Sequence, residues 1–93
     1  MAEKRRIETE GRDLFDEFLR QGEISQAVAA RALDVSEVTV LHWRVGEKRP
    51  IEHQRAKIDV WTGGKVPVAA WRTPEERAEV EQVRPFATTQ GAA

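Results

Sequence analysis

Two histidines and several carboxylates are the side chains of this 93-residue sequence that could transfer protons or hold a metal. Their spacing argues against both roles, because His42 and His53 are eleven residues apart on different expected helices. No acidic cluster or H-x-x-x-H pattern has metal-ligand spacing, and no serine or glycine-rich loop has the setting of a nucleophile or a phosphate cradle. We therefore expect no enzymatic activity, no catalytic residue, no metal and no cofactor.

Binding chemistry is concentrated between residues 42 and 57, although the formal net charge of the whole chain is −1. Five cations in this stretch face only two acids, whereas acidic residues are concentrated in residues 3–23 and 75–81. Charge is therefore segregated along the chain, and we expect a local basic face. The cations are Arg44, Lys48, Arg49, Arg55 and Lys57.

Two short helical patterns joined by a tight turn, residues 25–46, must position these groups. Ser25 and Ser36 are favourable N-caps for helices of about 25–33 and 36–45, and Asp34 tolerates left-handed backbone in the turn between them. This is a helix-turn-helix layout, which carries the second helix outward to where it can lie in a DNA major groove. The apolar residues expected at the helix crossing are Ala30, Leu33, Val35, Val40 and Trp43.

A further helix is expected on each side of the motif. Residues 7–21 have apolar side chains at helical spacing, and Gly22 is expected to end this helix in left-handed backbone. Residues 51–62, after Pro50, form the fourth helix. The solvated face of the first helix carries Asp13, Asp16 and Glu17, and the inward residues of the fourth are Ile58 and Trp61, with Ile51 at its start.

The C-terminal part is expected to be an appendage. Residues 65–71, KVPVAAW, predict an edge strand or an extended segment lying on the core. Thr73, Pro74 and Glu76 predict a capped helix that ends near residue 83 or 84, and residues 88–93 are expected to be disordered. The predicted fold is all-α, a compact bundle of four to five helices in residues 1–71, with a short C-terminal helix and tail in residues 72–93.

Residues 25–50 resemble the Cro/lambda-repressor family without a gap. The loop Gly46-Glu47-Lys48-Arg49-Pro50 is similar to the family's G-x-x-R-P-like run. The T-G-G-x-V run at residues 62–66, with Ile58 and Trp61 before it, resembles the small Cro-like prophage regulators. The resemblance covers roughly 45 of the 93 residues. It implies a helical bundle, a twofold homodimer, a pseudo-palindromic operator and transcriptional control.

The resemblance makes residues 36–45 the recognition helix. Family residues that match Glu37, Val38 and His42 commonly contact base edges, and Leu41 shares the outward face. Glu37 can accept from cytosine N4, Val38 and Leu41 can contact thymine methyl groups, and His42 can donate to guanine. The alternative is that Glu37 is an acid favoured by the helix dipole, while Val38, Leu41 and Val45 cover a neighbouring segment or subunit.

Phosphate contacts are expected beside this helix. The family glutamine that matches Gln26 holds a backbone phosphate, and Lys48 and Arg49 would replace counterions along the DNA. Arg44 has an open alternative, a salt bridge to the first helix. The predicted phosphate-contacting residues are Gln26, Thr39, Arg44, Lys48 and Arg49.

Dimerisation is predicted for the C-terminal residues Trp71, Val80 and Val83. Trp43 occupies an inward position of the motif and is expected in the core. Trp71 leaves two alternatives, since it can pack on the first and fourth helices or anchor a partner subunit.

The sequence thus predicts a dimeric, sequence-specific regulator of double-stranded DNA in the cytoplasm, associated with the nucleoid. Zero cysteines suit that compartment, no apolar run is long enough to cross a membrane, and no small-molecule ligand is evident. The alternative is a protein-interaction module on the same scaffold, such as an antirepressor, an antitoxin-like partner or a host-factor adaptor. The near-zero net charge and the apolar, partly acidic outer face of residues 36–45 motivate it.

Overall fold

The computed structural model describes residues 7–83, and within that range the chain is helical with no strand. The predicted all-α bundle is confirmed. The expected disorder of residues 88–93 lies outside the described residues. The elements are α1 (Glu10–Gln21), α2 (Gln26–Leu33), α3 (Glu37–Val45), α4 (Glu52–Trp61), a 3-10 turn (Val68–Trp71) and α5 (Pro74–Glu81).

Hydroxyl side chains begin four of the helices. Ser25, Ser36 and Thr73 each accept a hydrogen bond from the backbone N–H three residues later, at 3.1–3.2 Å, as their sequence positions predicted. Thr9 does the same for α1. That helix begins later than expected because the N–H of Ile7 donates to the carbonyl of Gly46 at 2.7 Å, which holds this segment against the end of α3.

The turns between the first three helices use left-handed backbone at two non-glycine residues. Asp34 has φ of 59°, as predicted for the turn between α2 and α3. Gly22 ends α1 as predicted, but the left-handed backbone predicted for it is wrong, since its φ is −86° and Glu23 takes the left-handed position with φ of 52°. The N–H of Ile24 then reaches back to the carbonyl of Leu19 at 2.8 Å, which fixes the connection in this form.

The core lies where α1, α2 and α3 meet, with α4 and the 3-10 turn closing it. Val40, Trp43 and Ile58 are buried as predicted. Trp61 is half-buried and packs edge-on against Phe18, with ring centroids 5.4 Å apart. Ile51, expected at the start of the fourth helix, is the N-cap residue of α4 and has 64 % of its surface exposed. The buried hydrophobic side chains are Phe15, Leu19, Ala29, Ala30, Leu33, Val40, Trp43, Ile58, Val66, Ala70 and Trp71.

Residues 65–71 do lie on the core, but the edge-strand alternative for them is wrong. Residues 68–71 wind into a 3-10 turn instead, and the N–H of Ala70 donates to the carbonyl of Pro67 at 3.0 Å. Thr62 connects the end of α4 to the segment before this turn, because its hydroxyl donates to Ile58 O and accepts from the N–H of Val66. The apolar run therefore satisfies backbone groups locally, where a strand would need a neighbour.

Candidate nucleic-acid interface

The outer face of α3 is an apolar and acidic strip. Val38 is 58 % exposed and Leu41 is 41 % exposed, and Glu37 is exposed beside them. The opposite face is buried, with Val40 at 0 % and Trp43 at 2 %. Since three- and four-residue spacings share one side of a helix, Glu37, Val38 and Leu41 are presented together on a helix that the core holds from behind. We call these three residues the α3 strip.

The polar side chains beside the α3 strip have different surroundings at its two ends. At the N-terminal end, Ser36 Oγ and Thr39 Oγ1 are 2.8 Å apart, so the Thr39 hydroxyl already takes part in the cap. At the other end, His42 Nε2 lies 3.6 Å from a carboxylate oxygen of Glu47. That distance is longer than a hydrogen bond. The base contact of His42 and the phosphate contact of Thr39 stay predictions.

Arg44 connects α3 to both preceding helices. Its Nε donates to Asp16 Oδ1 of α1 at 2.8 Å, and its Nη1 donates to Gln26 Oε1 of α2 at 3.1 Å. In addition, Arg12 Nε donates to the Arg44 carbonyl at 3.0 Å. The alternative considered for Arg44, a salt bridge to the first helix, is therefore what the structure shows.

This network changes what Gln26 and Asp16 can do. The amide oxygen of Gln26 is used by Arg44, so a phosphate contact would fall to its amide N–H groups, which are the donors an anion needs. Asp16 is not simply part of a solvated helix face, since it accepts from Arg44 and also pairs with Arg20 at 3.2 Å. That expectation is corrected.

Replacing Arg44 with methionine is expected to lower the free energy of unfolding by about 1–2 kcal/mol, between typical exposed and buried ion pairs. Its side chain is 23 % exposed and that of Asp16 is 29 % exposed. Arg20→Met is the matched control, because it removes the other partner of Asp16 from a side chain that is 72 % exposed. Urea denaturation should show a clearly larger loss for Arg44→Met, and equal losses would contradict the bracing role.

Lys48 and Arg49, adjacent in the loop after α3, differ in their surroundings. Lys48 is exposed. Arg49 instead forms a two-pronged pair with Glu76 of α5, at 2.6 and 3.2 Å, and donates to the carbonyl of Trp71 at 3.1 Å. The hydrogen bond from Arg49, followed by that from the backbone N–H of Thr73, lowers the pKa of Glu76 to about 2. Glu76 is therefore ionised near neutral pH.

The predicted dimerisation residues fall into two groups. Trp71 is 0 % exposed and packs 5.9 Å from the Phe15 ring centroid, so its assignment as a dimer anchor is wrong. Its whole side chain is buried in the core of the monomer. Val80 and Val83 are 47 % and 72 % exposed, and their role stays a prediction.

Sequence reasoning missed two residues that shape this region. Glu76 was recognised as part of a capping box, which is present, but its pairing with Arg49 was not anticipated. Gly11 was not singled out, although it lies directly under the Trp71 ring. Neither contact has a local signal, because the partners are 27 and 60 residues apart in the sequence.

Within residues 7–83 no helix is long and apolar enough to cross a membrane, and no group of three or more potential ligands is arranged to hold a metal ion. No family model matches the chain, and no curated protein or solved structure matches it either. Residues 7–83 therefore form an all-helical domain that exposes the α3 strip to solvent.

Proposed function

We propose that this protein is a sequence-specific double-stranded DNA-binding regulator that places α3 in the major groove. The observation that carries the proposal is the contrast between the two faces of α3, one fully buried and one presenting the α3 strip. A helix held in this way can enter a groove without rearranging the core. The resemblance of residues 25–50 to the Cro/lambda-repressor family supports the same role.

The α3 strip favours particular base edges. Val38 and Leu41 offer methyl groups, which match the C5-methyl of thymine, and Glu37 is an acceptor for cytosine N4. No guanine-reading arginine is present within α3 on this strip, because Arg44 is engaged by Asp16 and Gln26. The preferred half-site should therefore be rich in thymine methyl groups opposite Val38.

Affinity in this proposal depends on two copies of the domain. Lys48 is the exposed cation of the loop after α3, and one loop neutralises few phosphates. A homodimer on two half-sites, about one helical turn apart, would double both the base and the phosphate contacts. Such a regulator would act in the cytoplasm, on the nucleoid.

The experiment is selection of bound duplexes from a random pool, followed by titration of the selected duplex at several salt concentrations. We expect an enriched pseudo-palindrome and an affinity that falls steeply with salt. Replacing Val38 with alanine should reduce discrimination at its base pair by about 1 kcal/mol. Binding that is weak for every sequence at all salt concentrations would contradict the proposal.

Lys48→Gln should weaken DNA binding almost uniformly across sequences and reduce the salt slope by about 0.9 per subunit, since one phosphate contact is lost. Lys65→Gln is the matched control. Lys65 is also exposed, but its Nζ lies 6.0 Å from the ring centroid of Phe18 on α1 and not in the loop after α3. The same change of salt slope in both variants would show that the loop after α3 does not contact DNA.

A second candidate function, a protein-interaction module, is favoured by a specific observation. Arg44 and Arg49, two of the cations predicted to contact phosphate, are both paired with carboxylates of the same chain. The two exposed aliphatic side chains of the α3 strip, Val38 and Leu41, also suit the apolar centre of a protein interface. Two results together would favour this candidate. The duplex selection would yield no enriched sequence, and a protein that co-purifies with the unaltered chain would no longer co-purify with Leu41→Glu.

A further inference from the structure

Arg49 lies in a cluster of arginines between the loop after α3 and the start of α5. Arg55 Nε donates to the carbonyl of Pro50, next to Arg49 in sequence, at 2.6 Å. Burial, and next the charge of Arg49, lower the pKa of Arg55, and Arg72 acts in the same direction. The hydrogen bonds connect the three arginines, because Arg49 donates to the carbonyl of Trp71, which precedes Arg72, and Arg55 donates to the carbonyl of the residue that follows Arg49.

Glu76 pairs directly with this cluster, and Glu52 also acts on Arg55 by its charge. The two oxygens of Glu76 take the two terminal nitrogens of Arg49. Carboxylates and phosphates are bound by arginine in the same two-pronged geometry. The side chains remain reachable from solvent, at 24 % exposure for Arg49 and 43 % for Glu76.

The element that supplies this carboxylate is weakly held. α5 is eight residues long and has no buried residue. A helix of this length is marginal without tertiary contacts. Besides the pair with Arg49, a second and longer ion pair joins α5 to the rest of the described fold, Arg77 to Glu10 at 3.5 Å. Exchange of the Arg49 partner therefore disturbs little of the core.

We infer that Arg49, with Arg55 and Arg72 beside it, forms a phosphate-binding site in which Glu76 holds the position of the phosphate, so that α5 competes with the DNA backbone. This inference rests on the proposed function for its natural ligand, a backbone phosphate. It gives α5 a regulatory role, because DNA would gain a contact at each subunit when Glu76 is displaced.

The test compares Glu76→Gln with Glu75→Gln. Both remove one negative charge from the first turn of α5, and Glu75 is exposed. Glutamine at position 76 keeps an acceptor for the N–H of Thr73 but no longer competes as an anion. We expect Glu76→Gln to bind the selected duplex about three-fold more tightly than Glu75→Gln, with a salt slope steeper by about 0.9 per subunit.

A second measurement uses inorganic phosphate and no DNA. At matched ionic strength, phosphate in place of chloride should raise the melting temperature of Glu76→Gln more than that of Glu75→Gln, and Arg49→Lys in the Glu76→Gln chain should abolish the difference. Equal responses of the two variants to both phosphate and DNA would overturn the inference. A phosphate effect without any DNA binding would retain the anion site and reject the proposed function.

The inference can still be tested if the Glu76→Gln variant does not fold. In the unaltered chain, phosphate titration followed by NMR should shift the Arg49 Nε–H resonance together with the backbone resonances of α5. No shift at Arg49, at phosphate concentrations that saturate an arginine pair, would contradict competition.

Discussion

Replacing Trp71 with alanine is expected to lower the free energy of unfolding by about 3–5 kcal/mol, the usual cost of removing a large aromatic side chain from a core. Trp71 is completely buried and contacts Phe15, which in turn packs edge-on against Trp43 at a centroid distance of 6.1 Å. The three rings connect the 3-10 turn to α1 and α3. Removing the Trp71 ring should therefore cost a large part of the total free energy of unfolding, which is about 5–15 kcal/mol for a small domain.

Trp71→Phe is the informative companion. The indole Nε1 is buried and has no hydrogen-bond partner among the described residues, and a buried unpaired donor costs about 1–3 kcal/mol. Phenylalanine removes that donor along with part of the ring, so the two effects oppose each other. We expect Trp71→Phe to cost well under half as much as Trp71→Ala.

Urea denaturation followed by circular dichroism checks both variants, because fluorescence would be altered by the substitution itself. The loss of stability caused by Trp71→Ala should not depend on protein concentration, since the side chain is buried within one monomer. A loss below about 1 kcal/mol for Trp71→Ala would contradict the core assignment.

Gly11→Ala should also destabilise the fold, by about 1–2 kcal/mol, although alanine is the better helix former. A Cβ at position 11 would meet Trp71 Cδ2 at 2.5 Å and two further ring atoms at 2.9 Å. Helix propensity favours alanine by about 0.8–1.0 kcal/mol, whereas overpacking a filled core costs about 1–3 kcal/mol. Steric overlap should win, because Phe15 lies against the ring and limits its retreat.

The stability change caused by Gly11→Ala should have the opposite sign when Trp71 is absent. In the Trp71→Ala chain, Gly11→Ala has no ring to meet, so the helix propensity of alanine remains and stability should rise by up to about 1 kcal/mol. Urea denaturation of the two single variants and the double variant measures this coupling. Additive effects would show that the two positions do not touch.

Local signals in the sequence were sufficient for most of the helices. Ser25, Ser36 and Thr73 act as caps in the structure, and Asp34 adopts the predicted left-handed backbone. Each depends on hydrogen bonds or sterics within four residues. The exchange of roles between Gly22 and Glu23 shows the limit of this reasoning, because the pairing of Ile24 with Leu19 decided which residue took positive φ.

The candidate site was less accessible from sequence. The exposure of Val38 and Leu41 follows from helical spacing against Val40 and Trp43. The partners of the arginines do not follow from spacing, since Asp16 and Glu76 reach Arg44 and Arg49 only after the helices have packed. A count of cations along the chain therefore overstated the charge available to a ligand.

The hydrogen bond from Ile7 to Gly46 places the start of the described chain beside the last turn of α3. Glu8, one residue further, is exposed, and the chain contains no cysteine. A single Glu8→Cys substitution therefore creates a unique attachment point for a fluorophore near the C-terminal end of α3. The proposed binding of nucleic acid or of protein to the α3 strip can then be followed optically while every side chain of α3 stays intact.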